Sequence, residues 1–227
     1  TATITNDDSA TLTLGAAPSI TETNGSQTKV FTLTLDHAVQ GGFDVAITNS
    51  DGTADSSDYT LNTTTVHFSG TVGESHDVTV TIAGDTVVEA DETFTIGLGA
   101  ISGTTATQAA AITHTSTSTA TINNDDSATL SLAAAPVITE TNSDFQVVFS
   151  VSVDAAVQGG FDVAISSLGI TAVSGTDYTL DTTSLHFTGN AGETHNVTVT
   201  IKGDTVVEAN ETFTIGLGAI SGTTATQ

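Results

Sequence analysis

Apolar and hydroxyl residues alternate with a period of two along most of the chain. Phe31, Leu33 and Leu35 interleave with Val30, Thr32 and Thr34, and Val78, Val80 and Ile82 interleave with Thr79 and Thr81. In a strand, successive side chains point to opposite faces, so each such segment has one oily face and one hydroxyl face. Strands are predicted at about Ala10–Leu14, Ile20–Glu22, Val30–Leu35, Phe43–Thr48, Thr65–Phe68, Asp77–Ile82, Phe94–Leu98 and Ala110–Ile122. Breaks fall at Gly41-Gly42, Asp51-Gly52, Gly70–Gly73, Gly84 and Gly103, and no segment shows a helical period. Strands with one apolar face, separated by turns, bury that face by packing two sheets together. The expected fold is therefore all-β, an immunoglobulin-like antiparallel β-sandwich of about seven strands.

The pattern occurs twice. Asn6-Asp7-Asp8-Ser9-Ala10-Thr11-Leu12 returns at Asn124–Leu130 and Gln40–Ile47 at Gln158–Ile165, both at an offset of 118; Asp58–Leu61 returns at Asp177–Leu180, at 119. One residue has thus been inserted in the loop after the Phe43 strand, where insertions are tolerated best. A period this long is a whole domain, so two tandem sandwiches are expected. Thr1–Asn6 matches Thr119–Asn124, which makes residues 1–8 the last strand and exit loop of a preceding repeat. The first sandwich spans 9–126. The second, 127–227, stops at the equivalent of Gln108, and is expected to lack its final strand and to present an open edge. Strand exchange between copies is the expected consequence, with Thr1–Ile4 of a neighbouring molecule adding along that edge.

Composition narrows the partners. The net charge is −24, with 26 acidic residues against Lys29 and Lys202 and no arginine. Binding to a phosphate backbone needs clustered cations, so nucleic acid is excluded, and anionic membrane surfaces with it. Cysteine is absent, which removes disulfides and thiolate metal sites. No apolar run approaches the roughly 18 residues needed to span a bilayer, so no membrane insertion is expected, and no signal-peptide pattern opens the chain. The chain reads as the middle of a longer protein.

The acids are concentrated in Gly84–Leu98, GDTVVEADETFTIGL, which returns at Gly203–Leu217 with one change, Asp91 to Asn210. Asp85, Glu89, Asp91 and Glu92 crowd one loop that has no lysine or arginine. Their repulsion calls for a bound cation or for protonation. Together with ITETNG (Ile20–Gly25), SSDYTL (Ser56–Leu61), a GES or GET turn and the closing TATINNDD, this stretch resembles the Calx-β family over essentially the whole chain. Members of that family are calcium-binding β-sandwiches of sodium/calcium exchangers and of large bacterial surface proteins. The resemblance implies Ca²⁺ bound by Glu22, Asp58, Asp85, the Val87 carbonyl, Glu89, Glu92, Asp125 and Asp126 in the first copy. In the second it implies Glu140, Asp177, Asp204, the Val206 carbonyl, Glu208 and Glu211, a weaker set without the closing Asp pair. The residue types agree, because calcium takes about six to eight hard oxygens from carboxylates and carbonyls. With cysteine absent and histidine not interleaved with the acids, zinc is disfavoured. Flexible carboxylate loops do not enforce the tight octahedron of magnesium.

Other constellations carry less. His67 and His76, repeated as His186 and His195, flank a turn, but strand parity puts them on opposite faces, which suits a rim role. Serine and threonine abound without a nucleophile turn, and a carbohydrate cleft would need more than two tyrosines and no tryptophan, so no enzyme is expected. Thr115, Thr117 and Thr119 line one strand face as exposed threonines ordinarily do. The expected function is a calcium-binding extender module of a secreted adhesin on the bacterial cell surface, with calcium stiffening the loops and the interdomain junction and with neighbouring repeats of the same chain as partners. The alternatives are a calcium-sensor pair of an exchanger-like protein and an adhesin module that contacts a surface ligand directly.

Overall fold

Period-two alternation becomes strand throughout the computed structural model, which describes residues 1–114, 117–223 and 225. The chain divides into two units. One comprises Thr1–Asp85 with Asp91–Asp125, the other Thr86–Ala90 with Asp126–Gln227. The acidic stretch is thus split between them, its Thr86–Ala90 segment belonging to the second unit.

The first unit contains β1 (Ala10–Leu14), β2 (Ile20–Thr21), β3 (Gln27–Leu35), β4 (Phe43–Asp51), β5 (Tyr59–Leu61), β6 (Thr65–Phe68) and β7 (Ser75–Ile82). After β8 (Val87–Val88), which lies in the second unit, it continues with β9 (Glu92–Ser102), α1 (Ala106–Ala111), β10 (Ile112–Thr113) and β11 (Thr117–Asn123). The strands form two sheets, β10-β1-β3-β7-β5 and β2-β11-β9-β4-β6. All pairs are antiparallel except β1 with β10 and β2 with β11. The faces fall as the alternation dictates: Phe31, Leu33, Leu35, Val78, Val80 and Ile82 of one sheet are fully buried, together with Phe94 and Ile96 of the other. Between the sheets Phe31 meets Phe94 edge-on at 6.3 Å, and Tyr59 stacks on Phe94 at 4.1 Å.

One expectation is corrected. The strand expected over Ala110–Ile122 begins instead as a helix, α1, and the ladder resumes at Thr117. Thr105 caps α1 through a reciprocal capping box with Gln108, and alanine, the best helix former, fills the turn behind it. At six residues this helix is too short to register as a period.

The second unit repeats the plan with β12 (Leu130–Leu132), β13 (Phe145–Val153), β14 (Ala156–Val157), β15 (Phe161–Gly169), β16 (Tyr178–Leu180), β17 (Ser184–Phe187), β18 (Thr194–Ile201) and β19 (Phe213–Ser221). Its sheets are β12-β13-β18-β16 and β17-β15-β19, with the short parallel pair β14-β8 beside them. Among the described residues β19 has a ladder partner on one side only, β15, where its counterpart β9 also pairs with β11. The core packing recurs: Phe149 meets Phe213 edge-on at 6.2 Å and Tyr178 stacks on Phe213 at 4.3 Å.

Candidate metal centre

Two glycines set the entrances of the acidic loops. A Cβ on Gly84 would collide with the carbonyl of Thr23, and one on Gly203 with that of Thr141. Only glycine lets the chain pass so close, and the passage brings Asp85 and Asp204 alongside the segments that carry Glu22 and Glu140. In the second unit this proximity is visible as a hydrogen bond, the Asp204 N–H donating to Glu140 Oε1 at 3.1 Å. Asp204 in turn accepts from the Val206 N–H at 2.6 Å. Asp177, just before β16, is oriented by the Val173 N–H, which donates to its Oδ2 at 2.5 Å.

These local restraints converge on one group. Carboxylate oxygens of Asp177, Glu208 and Glu211 all lie within 4.8 Å of one another. Desolvation raises the pKa of Glu208, and the charges of Asp204, Asp177 and Glu140 raise it further. Glu211 is raised by desolvation, by its hydrogen bond with Asp177, and by the charges of Asp177, Glu208 and Glu140. Glu208 and Glu211 thus both feel Asp177 and Glu140, and Glu208 feels Asp204 as well. The corresponding residues of the first copy are Asp58 and Glu92 in the first unit and Glu89 in the second. Asp58 is held by the Asp55 N–H, which donates to its Oδ2 at 2.6 Å, and Glu22 is buried.

Of the second copy's other predicted residues, Glu140, Asp204 and Val206 lie outside this close group. Asp91, counted in the acidic crowd but not among the ligands, has a positioning part: its Oδ1 accepts from the Asn124 N–H at 3.1 Å, tying the closing loop to the acidic stretch. Neither lysine belongs to a group. Lys29 donates to the Ser19 carbonyl and Lys202 pairs with Asp144 at 2.8 Å. With carboxylate donors, no histidine in the group and no cationic side chain among its members, the residues fit a hard divalent cation such as calcium. In the second copy Asp177, Glu208 and Glu211 would hold it.

The histidines form pairs of their own. His67 and His186, on exposed positions, bond Asp44 and Asp162, whereas His76 and His195 bond Glu74 and Glu193 and pack edge-on against Phe68 and Phe187. These two glutamates organise their turns and are positions that sequence reasoning passed over, although the GES and GET turns marked them. Glu74 gathers the N–H groups of Ser69, Gly70 and Thr71, and Glu193 those of Thr188, Gly189 and Asn190. In the threonine row Thr119 bonds Thr95 at 2.9 Å, and Thr115 lies outside the described residues.

A β-sandwich with paired sheets and acid-crowded loops defines a class, the hard-cation-binding sandwich modules. The Calx-beta domain profile matches residues 6–126 and again 123–226. The chain belongs to the Calx-beta family, as a tandem pair of its domains, which are calcium-binding modules. A search of curated proteins returns no match. Among solved structures the chain is similar to the CBD12 pair of CALX1.2, at 17% identity and TM-score 0.42 over 93% of this chain and 81% of that one. It is also similar to the calcium binding domain CBD12 of CALX1.1, at 18% and 0.39 over 93% and 80%. The apo-form Calx CBD1 domain aligns at 18% and 0.43, over 52% of this chain and all of that one.

Proposed function

We propose that the chain is a calcium-loaded spacer, a tandem segment of a repetitive secreted adhesin on a bacterial cell surface. Bound calcium stiffens the acidic loops and, through Asp125-Asp126, the linker they adjoin. The observation that carries the calcium part is the trio Asp177, Glu208 and Glu211, three carboxylates within 4.8 Å with two pKa values raised by their neighbours. A cation removes that repulsion, so it binds the fold and not the unfolded chain. The spacer part is supported by composition. Residues 84–108 and 203–227 differ at one position in 25, as in an array of like modules, and the chain is strongly acidic without cysteine. Strand addition of Thr1–Ile4 to the one-sided edge of β19 belongs to the same reading.

Calorimetric melting of the chain in calcium and in chelator tests it. Calcium is expected to raise the melting temperature by several degrees, through mass action on the folded state. Asp177→Asn and Glu211→Gln are expected to shrink the increment. Superimposable melts would sink the calcium reading. The second reading, a calcium-sensor pair of an exchanger-like protein, is supported equally by family membership. The calcium midpoint separates the two: an extracellular spacer works at about 10⁻⁴–10⁻³ M and a cytosolic sensor at about 10⁻⁷–10⁻⁵ M.

A further inference from the structure

Residues 86–90 complete the second unit in a way that exposes what the first unit lacks. Within the second unit β8 pairs in parallel with β14, Val87 opposite Ala156 and Val88 opposite Val157. The Gln158 N–H donates to the Val88 carbonyl at 2.9 Å, and Gln158 Nε2 donates to Glu89 Oε1 at 3.1 Å. Val88 and Val157 are buried, 6% and 8% exposed, as part of the core.

Both halves of this contact recur in the chain without each other. The sequence counterparts of Ala156, Val157 and Gln158 are Ala38, Val39 and Gln40 in the first unit. The Val39 N–H donates to the Gly70 carbonyl at 2.9 Å, as the Val157 N–H does to Gly189, so the backbone takes the same turn. Yet Ala38 and Val39 belong to no strand, Ala38 is exposed, and the Gln40 N–H has no acceptor among the described residues. Beside them opens a cleft of about 850 Å³ lined by Asp8, Val39, Gln40, Gln108 and Ile112. Its counterpart in the second unit, where Val88 is seated, measures about 280 Å³. The counterparts of Val87, Val88 and Glu89 are Val206, Val207 and Glu208. Val206 is 64% exposed and Val207 99%, two adjacent valines standing in water.

We propose that the Ala38–Gln40 edge is a docking site for the Val206–Glu208 segment of a second copy of this chain. The segment adds as a parallel two-residue strand, its Val207 entering the cleft beside Val39 and its carbonyl accepting the Gln40 N–H. An extended segment that adds to an unpaired edge gains backbone hydrogen bonds from the edge and specificity from the side-chain pocket. Because donor and acceptor are different surfaces, the contact is head-to-tail, and copies join into open chains or closed rings larger than a dimer.

Sedimentation velocity of the full chain tests this in calcium and about 0.15 M salt, where the Debye length of ~8 Å limits repulsion between acidic copies. The mean mass is expected to climb with concentration from micromolar to millimolar. Val207→Asp, at a fully exposed position, is expected to raise the association midpoint about tenfold or more. Val39→Asp blocks the other end. Each variant alone then associates more weakly than wild type by about the same factor, while an equimolar mixture associates near the wild-type midpoint and stops at dimers. Should Val39→Asp not fold, a synthetic Gly203–Glu211 peptide replaces the mixing arm and must dissociate the wild-type assemblies. A chain that stays monomeric throughout overturns the proposal, and so does association that Val207→Asp leaves unchanged, the result expected if copies join through the β19 edge instead. Neither result depends on the calcium melting shift, so the two readings fail separately.

Discussion

Two tyrosines at equivalent positions show how the residues around a side chain set its value. Tyr59 donates to Asp51 Oδ1 at 2.5 Å and accepts from Asn49 Nδ2 at 2.8 Å. Burial raises its pKa, Asn49 opposes that, and Asp51 adds to it. Tyr178 makes the same stack against the same phenylalanine, but its hydroxyl is buried with no hydrogen-bond partner among the described residues. Asn49 and Asp51 of β4 have become Ser167 and Gly169 of β15. A buried hydroxyl without a partner has lost water and gained nothing, whereas a satisfied one contributes about 1 kcal/mol net. Tyr59→Phe is therefore expected to cost ~1–2 kcal/mol, since it also strands Asn49 and Asp51, while Tyr178→Phe is neutral or stabilising. Urea unfolding of the two variants measures the difference, and equal losses would contradict this account. Both copies read DYTL, so the motif alone could not reveal the contrast; the sign lies upstream, where Asn49 and Asp51 give way to Ser167 and Gly169.

Among the elements, strands were legible and the turn chemistry was not. Period-two patterning placed Phe31, Leu33, Val78 and Val80 on the buried face because burial of one face leaves its mark at every second residue. Alternation carries no information about a helix as short as α1, whose signal is the Thr105–Gln108 pair. Nor does it report a carboxylate that folds back on its own turn. Burial raises the pKa of Glu74, but His76 and the donors of Ser69 and Thr71 outweigh it and bring the value to about 2. For Glu193 the Thr188 N–H and His195 lead, again to about 2. The ordinary value is 4.5, so each ionised carboxylate favours the fold above pH 4.5, and that contribution is lost as the pH falls through about 2. Glu74→Gln with Glu193→Gln is expected to lower the melting temperature at neutral pH and to flatten the loss of stability between pH 4.5 and 2. A variant that loses stability as steeply as wild type over that interval would show that the turns are held by something else.

On the scale of the whole molecule, the sequence repeat made the tandem organisation plain, and the family motifs marked the ligand loops. What they did not show was which acids form the tight group. Asp177, Glu208 and Glu211 are separated by 31 and 3 positions along the chain, and only the turn before β16 meeting the loop before β19 brings them together. With a formal charge of −24 and two lysines bonded elsewhere, the chain has no internal means of neutralising such a group. Proton and cation are then rivals for it, and their effects on stability have opposite signs. Glu208 and Glu211 have pKa values above the ordinary carboxylate in the fold, so without metal they favour folding when protonated, and that contribution is lost as the pH rises through the folded value. Calcium needs the ionised forms, so its binding weakens as the pH falls through the same range. In chelator the melting temperature is therefore expected to hold or rise as the pH is lowered from 7 towards 4.5, before the turn glutamates begin to titrate. In calcium it is expected to fall over that interval, and the two curves should converge near the acid end. Glu208→Gln with Glu211→Gln should flatten the chelator curve and remove much of the gap at pH 7. Calorimetric scans at closely spaced pH values measure both curves. A calcium increment that stays constant from pH 7 to 4.5 would mean that these carboxylates do not hold the ion.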